Sequence, residues 1–390
     1  MIPLLKDRNK DLSDVNNYRA IALSNSVTKI FENILYEHIA TVDEADIYQF
    51  GFKKDHSTAT CTYALKQVVD YYRRNGSHVF ASFIDFSKAF DSVDYWLLFS
   101  ELLDSKPTAE CFMATRVLAF WYSSQSSVIR WQSVVSGSFS ISNGVRQGGI
   151  LSPFLFRFYI RKLIHKITRS GIGCYFMNRF VNLLAYADDI VLLAPSWYTM
   201  QNLLHILERA SKEISMVCNT QKTLCMVFNP HIKSKLVCEN FPNFVLDGHQ
   251  LSFVPTFKYL GHIIEKNMCD DLDIAREIRN LYFRTNVLKR RFGLCSLEVK
   301  LKLFKSFCIC FYDIALWLNY SKTIFGRMKS CYTKCVKSFF NFHKYSSVTE
   351  VFMYLGLPLF DTIIHNSRLS LFNRVLRSSN SLVSSIGGSV

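Results

Sequence analysis

An α+β fold that gives way to an all-α C-terminal region is what the 390-residue sequence predicts, on three observations. Apolar runs of strand length (Val79–Ile84, 183–193, Leu224–Phe228) stand between helical stretches without the regular alternation of a parallel strand–helix–strand sheet. Beyond residue 270 few breakers occur, and apolar residues fall on one helical face, as with Leu281, Leu288 and Phe292, then Leu301, Phe304 and Phe307. No period of roughly 20–50 residues repeats, which excludes a solenoid or propeller.

Element by element, Ile2–Leu5 reads as a short strand, followed by a polar loop over 7–17 and a helix over 26–41. Ser24 or Ser26 can cap that helix, and Ile30, Ile34, Leu35 and Ile39 form its apolar stripe. A helix over 58–75 stops at Asn75-Gly76, and the strand Val79–Ile84 runs straight into Asp85. Helices follow over 95–103, bounded by Pro107, and over 110–122. Alternation over 127–141 predicts a β-hairpin turning near Ser136-Gly137. A Gly-rich loop over 143–152 leads into a helix from Pro153, a residue suited to a first turn. The run 180–193 is split by Asp188-Asp189. A helix over 199–217, the strand Leu224–Phe228 and a hairpin over 257–264 complete the mixed part.

Composition narrows the function. Hydrophobic residues make up 49% and aromatics 15%, ample for a large core and incompatible with a wholly disordered chain. Lys6, Asp7 and Arg8 interrupt the apolar start, and no uncharged run reaches the roughly 18 residues of a membrane span. A soluble, intracellular chain with no signal peptide and no membrane partner is expected. Lys289-Arg290-Arg291 is too short to read as nuclear targeting. The net charge is +15, from 46 Lys and Arg against 31 Asp and Glu. Residues 270–345 alone carry 15 basic against 6 acidic side chains, with aromatics interleaved. That suits a phosphate backbone, although a solvated helix face explains it equally well. The 12 cysteines lie scattered in apolar stretches and read as reduced thiols. Cys331, Cys335 and His343 fall one ligand short of a structural zinc site.

The sharpest chemical feature is Tyr186-Ala187-Asp188-Asp189, two adjacent carboxylates between two apolar runs. Crowded like charges raise each other's pKa, and unpaired anions near an apolar core are costly. A bare turn is the cheaper reading, yet Asp-Asp lacks the Gly or Asn that a two-residue hairpin turn favours. A divalent cation would answer both objections. Asp85, ending another strand, supplies a third carboxylate; its ordinary reading is a helix N-cap. Three such acids can hold two Mg²⁺ ions for phosphoryl transfer.

These residues belong to an ordered series. It includes Ile2-Pro3-Leu4-Leu5-Lys6, Asn17-Tyr18-Arg19-Ala20-Ile21, Lys29-Ile30-Phe31-Glu32, Gln49-Phe50-Gly51-Phe52-Lys53 and the segment 85–94. It continues with Gly144-Val145-Arg146-Gln147-Gly148-Gly149, Tyr186-Ala187-Asp188-Asp189, Asn219 with Lys222-Thr223, and Phe257-Lys258-Tyr259-Leu260-Gly261-His262. In that order the chain resembles the reverse transcriptase domain of non-LTR (LINE-type) retrotransposons, the likeness thinning after about residue 270.

The resemblance implies a right-hand polymerase, with an antiparallel sheet in its palm and an all-α thumb and C-terminal helical region. Its parts would be fingers at 1–78, shortened at the N-terminal side, a palm at 79–265 with an interleaved fingers segment at 110–143, a basic helical thumb at 266–345, and a helical extension and tail at 346–390. It implies an RNA-directed DNA polymerase that adds deoxynucleotides to a DNA primer on an RNA template; the alternative is an inactive nucleic-acid-binding relic. Asp85, Asp188, Asp189 and the Phe86 carbonyl would bind two Mg²⁺ ions, for which Mn²⁺ could substitute. Lys222 would protonate the leaving pyrophosphate. Lys6, Arg19, Phe90, Gln147 and Gly148 would contact the incoming nucleotide, with Phe90 excluding a 2′-hydroxyl. Phe257, Lys258, Tyr259, Leu260 and Gly261 would grip the primer. Each has an ordinary rival: a core ring for Phe90, surface charge for Lys6, Arg19 and Lys222, a plain loop for Gln147 and Gly148. Ala20, Lys53 and Arg157 depart from the family pattern, which has Pro, Arg and a smaller polar residue there.

Overall fold

The computed structural model describes residues 1–42, 46–105, 108–176, 178–231, 238 and 240–387; Pro107, the expected helix boundary, lies outside them. Two units divide the chain, each gathered from separated segments. The first comprises Met1–His56, Phe80–Cys225 and Phe241–Ser252; the second comprises Ser57–Val79, Met226–Asn240 and Phe253–Val390. Helices and a sheet share the mixed part, and among the described residues only helices follow Glu265, the α+β arrangement the patterns predict.

In the first unit, Leu183–Tyr186 pairs antiparallel with Asp189–Ala194, whose residues from Ile190 pair antiparallel with Phe80–Ile84. Val79–Ile84 is buried at every position. This explains why it reads as a continuous apolar run instead of an alternation: both faces are covered. The helix Trp197–Glu213 packs on Asp189–Ala194 through Met200, Leu203, Leu204 and Leu207, spaced at helical intervals. The helix Ser152–Thr168 packs beside it, with Pro153 in its first turn.

Local chemistry shifted several expected boundaries. Asn25 caps the helix Ser26–Ile39, its side chain accepting the Thr28 N–H at 2.8 Å; Ser26 is already helical and Ser24 lies one residue too early. Strand Ile2–Leu5 has an antiparallel partner, Tyr18–Ile21, too short for its alternation to show in the sequence. The expected hairpin forms, but it turns at Gln132-Ser133, between the paired Trp131 and Val134. Ser136 instead stays in the ladder, exchanging hydrogen bonds with Ile129 through its N–H and its hydroxyl. The helix Trp197–Glu213 ends four residues before expectation. Ser215, with φ 52°, takes the left-handed position usually held by Gly, and the Met216 N–H closes back on the Ser211 carbonyl at 2.9 Å.

The second unit holds the hairpin Thr256–Tyr259/His262–Glu265, which turns on Leu260 and Gly261, both at positive φ. It also holds the helices Thr58–Arg74, Asp271–Phe292, Leu297–Phe307 and Lys322–Phe339, with three shorter or later helices after them. The core shared by the helices from Asp271 onward centres on Phe304, Trp317, Tyr332 and Phe339, all fully buried. Cys331 and Cys335 sit one turn apart in that core. Among the described residues no helix is long and apolar enough to cross a membrane.

Candidate active site

The strand register assembles the acids. Ile84 pairs with Ile190, so the residue following the first and the residue preceding the second, Asp85 and Asp189, emerge side by side at one end of the sheet. Tyr186 pairs with Asp189, which leaves Ala187 and Asp188 as the two turn residues. The Asp-Asp pair is therefore split between turn and strand, and it is Ala187 that takes the left-handed conformation, φ 59°. For a residue with a Cβ this conformation is strained, and it persists only where the surroundings enforce it.

The enforcing residue is Gln49, buried at 1% exposure. Its side-chain oxygen accepts the Ala187 N–H at 2.9 Å and the Gly51 N–H at 2.8 Å, and its amide donates to the Ala187 carbonyl at 3.2 Å. Backbone bonds add to the brace: Phe50 N–H to the Ala185 carbonyl at 2.7 Å, and Ala185 N–H to the Tyr48 carbonyl at 2.9 Å. Gly51 has to be Gly here, since a Cβ would lie 2.3 Å from the Ala187 nitrogen. In the sequence Gln49 is only the first residue of the motif 49–53, with no role of its own. Its signal, a Gln two residues before a Gly, is too short to interpret without the contact.

Asp85 is anchored through its backbone. Its N–H donates to the Thr223 hydroxyl at 3.2 Å and its carbonyl accepts the Asn219 N–H at 2.7 Å, which leaves the carboxylate free of a capping role. Lys222, held in the turn between those two residues, places its ammonium 3.9 Å from the Asp85 carboxylate. Phe86 bridges antiparallel to Cys218.

The three acids share one electrostatic environment. Desolvation, then Asp188 and then Asp85, push the Asp189 carboxyl up to about 6, although its side chain still reaches solvent. Desolvation also raises Asp188, with Asp85 adding to the effect and Arg19 opposing it. Burial raises Asp85 against the pull of Lys222 and Lys6. The Lys6 ammonium is lowered, first by desolvation and then by Lys222 and Arg19. Lys6, Arg19 and Lys222 thus share one field with the three carboxylates, and Asp91, given no role from the sequence, lies in it too.

Among the described residues no group of three His, Cys, Asp or Glu is gathered tightly enough to hold an ion by protein atoms alone. The donor chemistry nevertheless fits a hard cation. Asp85 raises both Asp188 and Asp189, the Lys222 ammonium at 3.9 Å pairs only with Asp85, and Mg²⁺ takes only one or two carboxylates beside water and phosphate.

The remaining predicted residues separate into two places. In the first unit the Phe90 ring is half-buried, stacked on Phe156 at 4.5 Å and edge-on to Phe52. Gln147 accepts the Ala22 N–H through its carbonyl at 2.8 Å, and Gly148 has φ 110°, where a Cβ would meet the Ala22 carbonyl at 2.9 Å. Glu32, buried, secures the same loop by accepting the Ile150 N–H at 2.5 Å. Arg157, larger than the family pattern, is accommodated by donating to the Phe52 carbonyl at 3.1 Å. Phe257, Lys258, Tyr259, Leu260 and Gly261 belong to the hairpin of the second unit. There Tyr312 donates to the Leu260 carbonyl at 2.6 Å, and its ring lies 2.7 Å from where a Gly261 Cβ would stand.

Residues 6–264 match the family described as reverse transcriptase (RNA-dependent DNA polymerase). The chain belongs to that family. It is 24% identical to an RNA-directed DNA polymerase from the mobile element jockey of Drosophila funebris, covering 99% of this chain and 42% of that protein. It is 25% identical to a probable RNA-directed DNA polymerase from transposon BS of Drosophila melanogaster, covering 91% and 40%. The chain thus spans about two-fifths of the length of these relatives. Among solved structures, telomerase from Candida tropicalis in complex with a fragment of telomeric RNA aligns over 93% of this chain and 57% of its own, at 10% identity and a TM-score of 0.44.

Proposed function

We propose that this chain is the polymerising part of a non-LTR retrotransposon reverse transcriptase, adding deoxynucleotides to a DNA primer on an RNA template. In this reading 1–78 are fingers, 79–265 with the interleaved 110–143 are palm, 266–345 are thumb and 346–390 extend it. The observation that carries it is the convergence of Asp85, Asp188 and Asp189 at one sheet end within a family whose chemistry is polymerisation. Asp85, Asp188 and Asp189, with the Phe86 carbonyl, would hold Mg²⁺, with Mn²⁺ as substitute. When bound, the metal supplies activation of the primer hydroxyl and neutralisation of developing phosphate charge.

The chain's own residues do the rest. Lys6 and Arg19 bind the triphosphate, Arg19 through a bidentate fork. Lys222, beside Asp85, delivers a proton to the leaving pyrophosphate. The Phe90 ring, fixed by its stack on Phe156, fills the space a 2′-hydroxyl would need. Gln147 and Gly148 bring backbone close to the nucleotide, and 257–261 position the primer end. Gln49 keeps Asp188 aimed by holding Ala187 in its strained turn.

The test is primer extension on poly-rA/oligo-dT with Mg²⁺, comparing the parent with Asp188→Asn/Asp189→Asn. The double variant should fold as the parent does and lose at least about a thousandfold in incorporation, the scale of removing a central electrostatic element. Equal incorporation by both proteins sinks the catalytic assignment. Salt-sensitive RNA binding by a parent that extends nothing identifies the non-polymerising relic instead.

A further inference from the structure

Lysines line a second concavity, contained wholly in the second unit. A cavity of about 920 Å³ lies between the last turn of Asp271–Phe292, the C-terminal half of Lys322–Phe339 and the loop 341–348. Lys289, Lys329, Lys334, Lys337, Lys344 and His343 line it, and no lining residue is acidic. Helix C-termini favour lysine, which accounts for Lys289 and Lys337 without any ligand. Lys337 is further explained by structure: it is buried and donates to the carbonyls of Lys344 at 3.0 Å and Ser346 at 2.7 Å, building the loop into a wall. Lys329 is paired with Asp361 at 2.7 Å.

Lys289, Lys334 and Lys344 remain. Lys289 reaches only the Ser338 hydroxyl, at 3.0 Å, and Lys344 lies 4.6 Å over the Tyr345 ring; none of the three has an acidic partner among the described residues. Three ammonium groups around one concavity repel one another unless an anion is shared among them. Beside them the Tyr345 ring is 79% exposed and packs on His343 at 5.3 Å, and Tyr354, 69% exposed, lies against Phe342 at 6.0 Å. Exposed rings beside unpaired lysines are the two components of a single-strand site: stacking platforms for bases and cations for the backbone. A concave site of this size admits a few unpaired nucleotides, whereas a duplex would only rest across its mouth.

We propose that this cavity binds a short segment of single-stranded nucleic acid, with Lys289, Lys334 and Lys344 on its phosphates and Tyr345 stacked on a base. The site is separate from the carboxylates of the first unit, and the inference does not depend on whether the chain polymerises. Fluorescence anisotropy with a labelled single-stranded 12-mer tests it on the full chain, in the presence of excess unlabelled blunt RNA–DNA hybrid. RNA and DNA versions of the 12-mer tell which sugar the site prefers.

The parent should still bind the 12-mer, and Lys289→Gln/Lys334→Gln/Lys344→Gln should weaken binding about tenfold or more while flattening the log–log salt dependence by about 2. Tyr345→Ala should weaken single-strand binding alone, leaving affinity for the hybrid unchanged. Cross-linking of 4-thiouridine in the 12-mer should map to residues 341–354. Three results overturn the proposal: the hybrid abolishes 12-mer binding, the triple variant binds as the parent does with an unchanged melting curve, or poly-glutamate competes as well as the oligonucleotide. Primer extension on a short hybrid reports on the first unit separately, so loss of one activity is distinguishable from loss of the other.

Discussion

Two acidic clusters, one in each unit, show how surroundings decide what a pair of aspartates does. Among the described residues Asp188 and Asp189 form no ion pair, and desolvation with neighbouring carboxylates raises both against the pull of Arg19 on Asp188. Asp270 and Asp273, buried in the second unit, are lowered. Desolvation alone would raise these as well, but hydrogen bonds and opposite charges override it. Asp270 accepts from Lys66 at 2.5 Å and from the N–H groups of Leu318 and Asn319 at 2.8 and 3.1 Å. Asp273 accepts from Arg276 and Trp317, each at 2.8 Å, and from the Ile263 N–H at 3.0 Å. His262, fully buried, stands between them, Nε2 3.4 Å from Asp270 and Nδ1 3.3 Å from Asp273. Asp270 and Asp273 are thus paired and hydrogen-bonded, and their charge tightens the fold, whereas desolvation, with Asp273 adding to it, pushes the neighbouring Asp313 up to about 6. In the first cluster, Asp188 and Asp189 ionise at a cost, which destabilises the protein alone and keeps the carboxylates available for a cation.

Removing charge from each cluster should therefore have opposite effects on stability. The largest expected change is at the paired aspartates of the second unit. Asp270→Asn leaves the Lys66 ammonium buried without its counter-ion and should cost about 3–5 kcal/mol in urea unfolding. A cost below about 1 kcal/mol would mean that the network is not a structural element. Gly51→Ala comes next. Its Cβ would collide with the Ala187 nitrogen, so the turn must shift, at about 1–3 kcal/mol, and primer extension should fall with it while the second unit stays folded by limited proteolysis.

The smallest effect is the one whose sign separates the clusters. A carboxyl whose folded pKa is raised destabilises the protein once ionised, so the cost from Asp189 grows as pH rises from about 4 to its folded value near 6. Asp189→Asn should then raise the melting temperature slightly at pH 7, by about 1–2 °C for a chain of this size, and leave it unchanged near pH 4. The contribution of Asp270 runs the other way. It is present at neutral pH and lost as pH falls below about 4, through its lowered folded value, so Asp270→Asn should converge on the parent in acid. Melting curves from pH 4 to 8 check both signs.

How far the site could be read from the sequence follows from how local its determinants are. Asp85 was legible because it directly follows a fully buried strand, and Asp188-Asp189 because they interrupt an apolar run. The split of that pair between turn and strand was not legible. It depends on Ala187 holding a left-handed φ, which its own side chain disfavours and only Gln49, 138 residues away in sequence, enforces. The early end of Trp197–Glu213 was hidden for a related reason, since Ser215 sits where Gly would have signalled a stop. The partners of Asp270 and Asp273 went unread because Lys66 and Trp317 are 204 and 44 residues away.

By itself the sequence determined the longer strands, most of the helices, the basic C-terminal region and the identity of the three acids, because periodicity, caps and apolar runs act over a few residues. Tertiary structure alone decided which acids stay uncancelled and which are neutralised. A carboxylate's charge balance depends on what comes within a few ångströms of it, and that is set by register and packing between segments far apart in the chain.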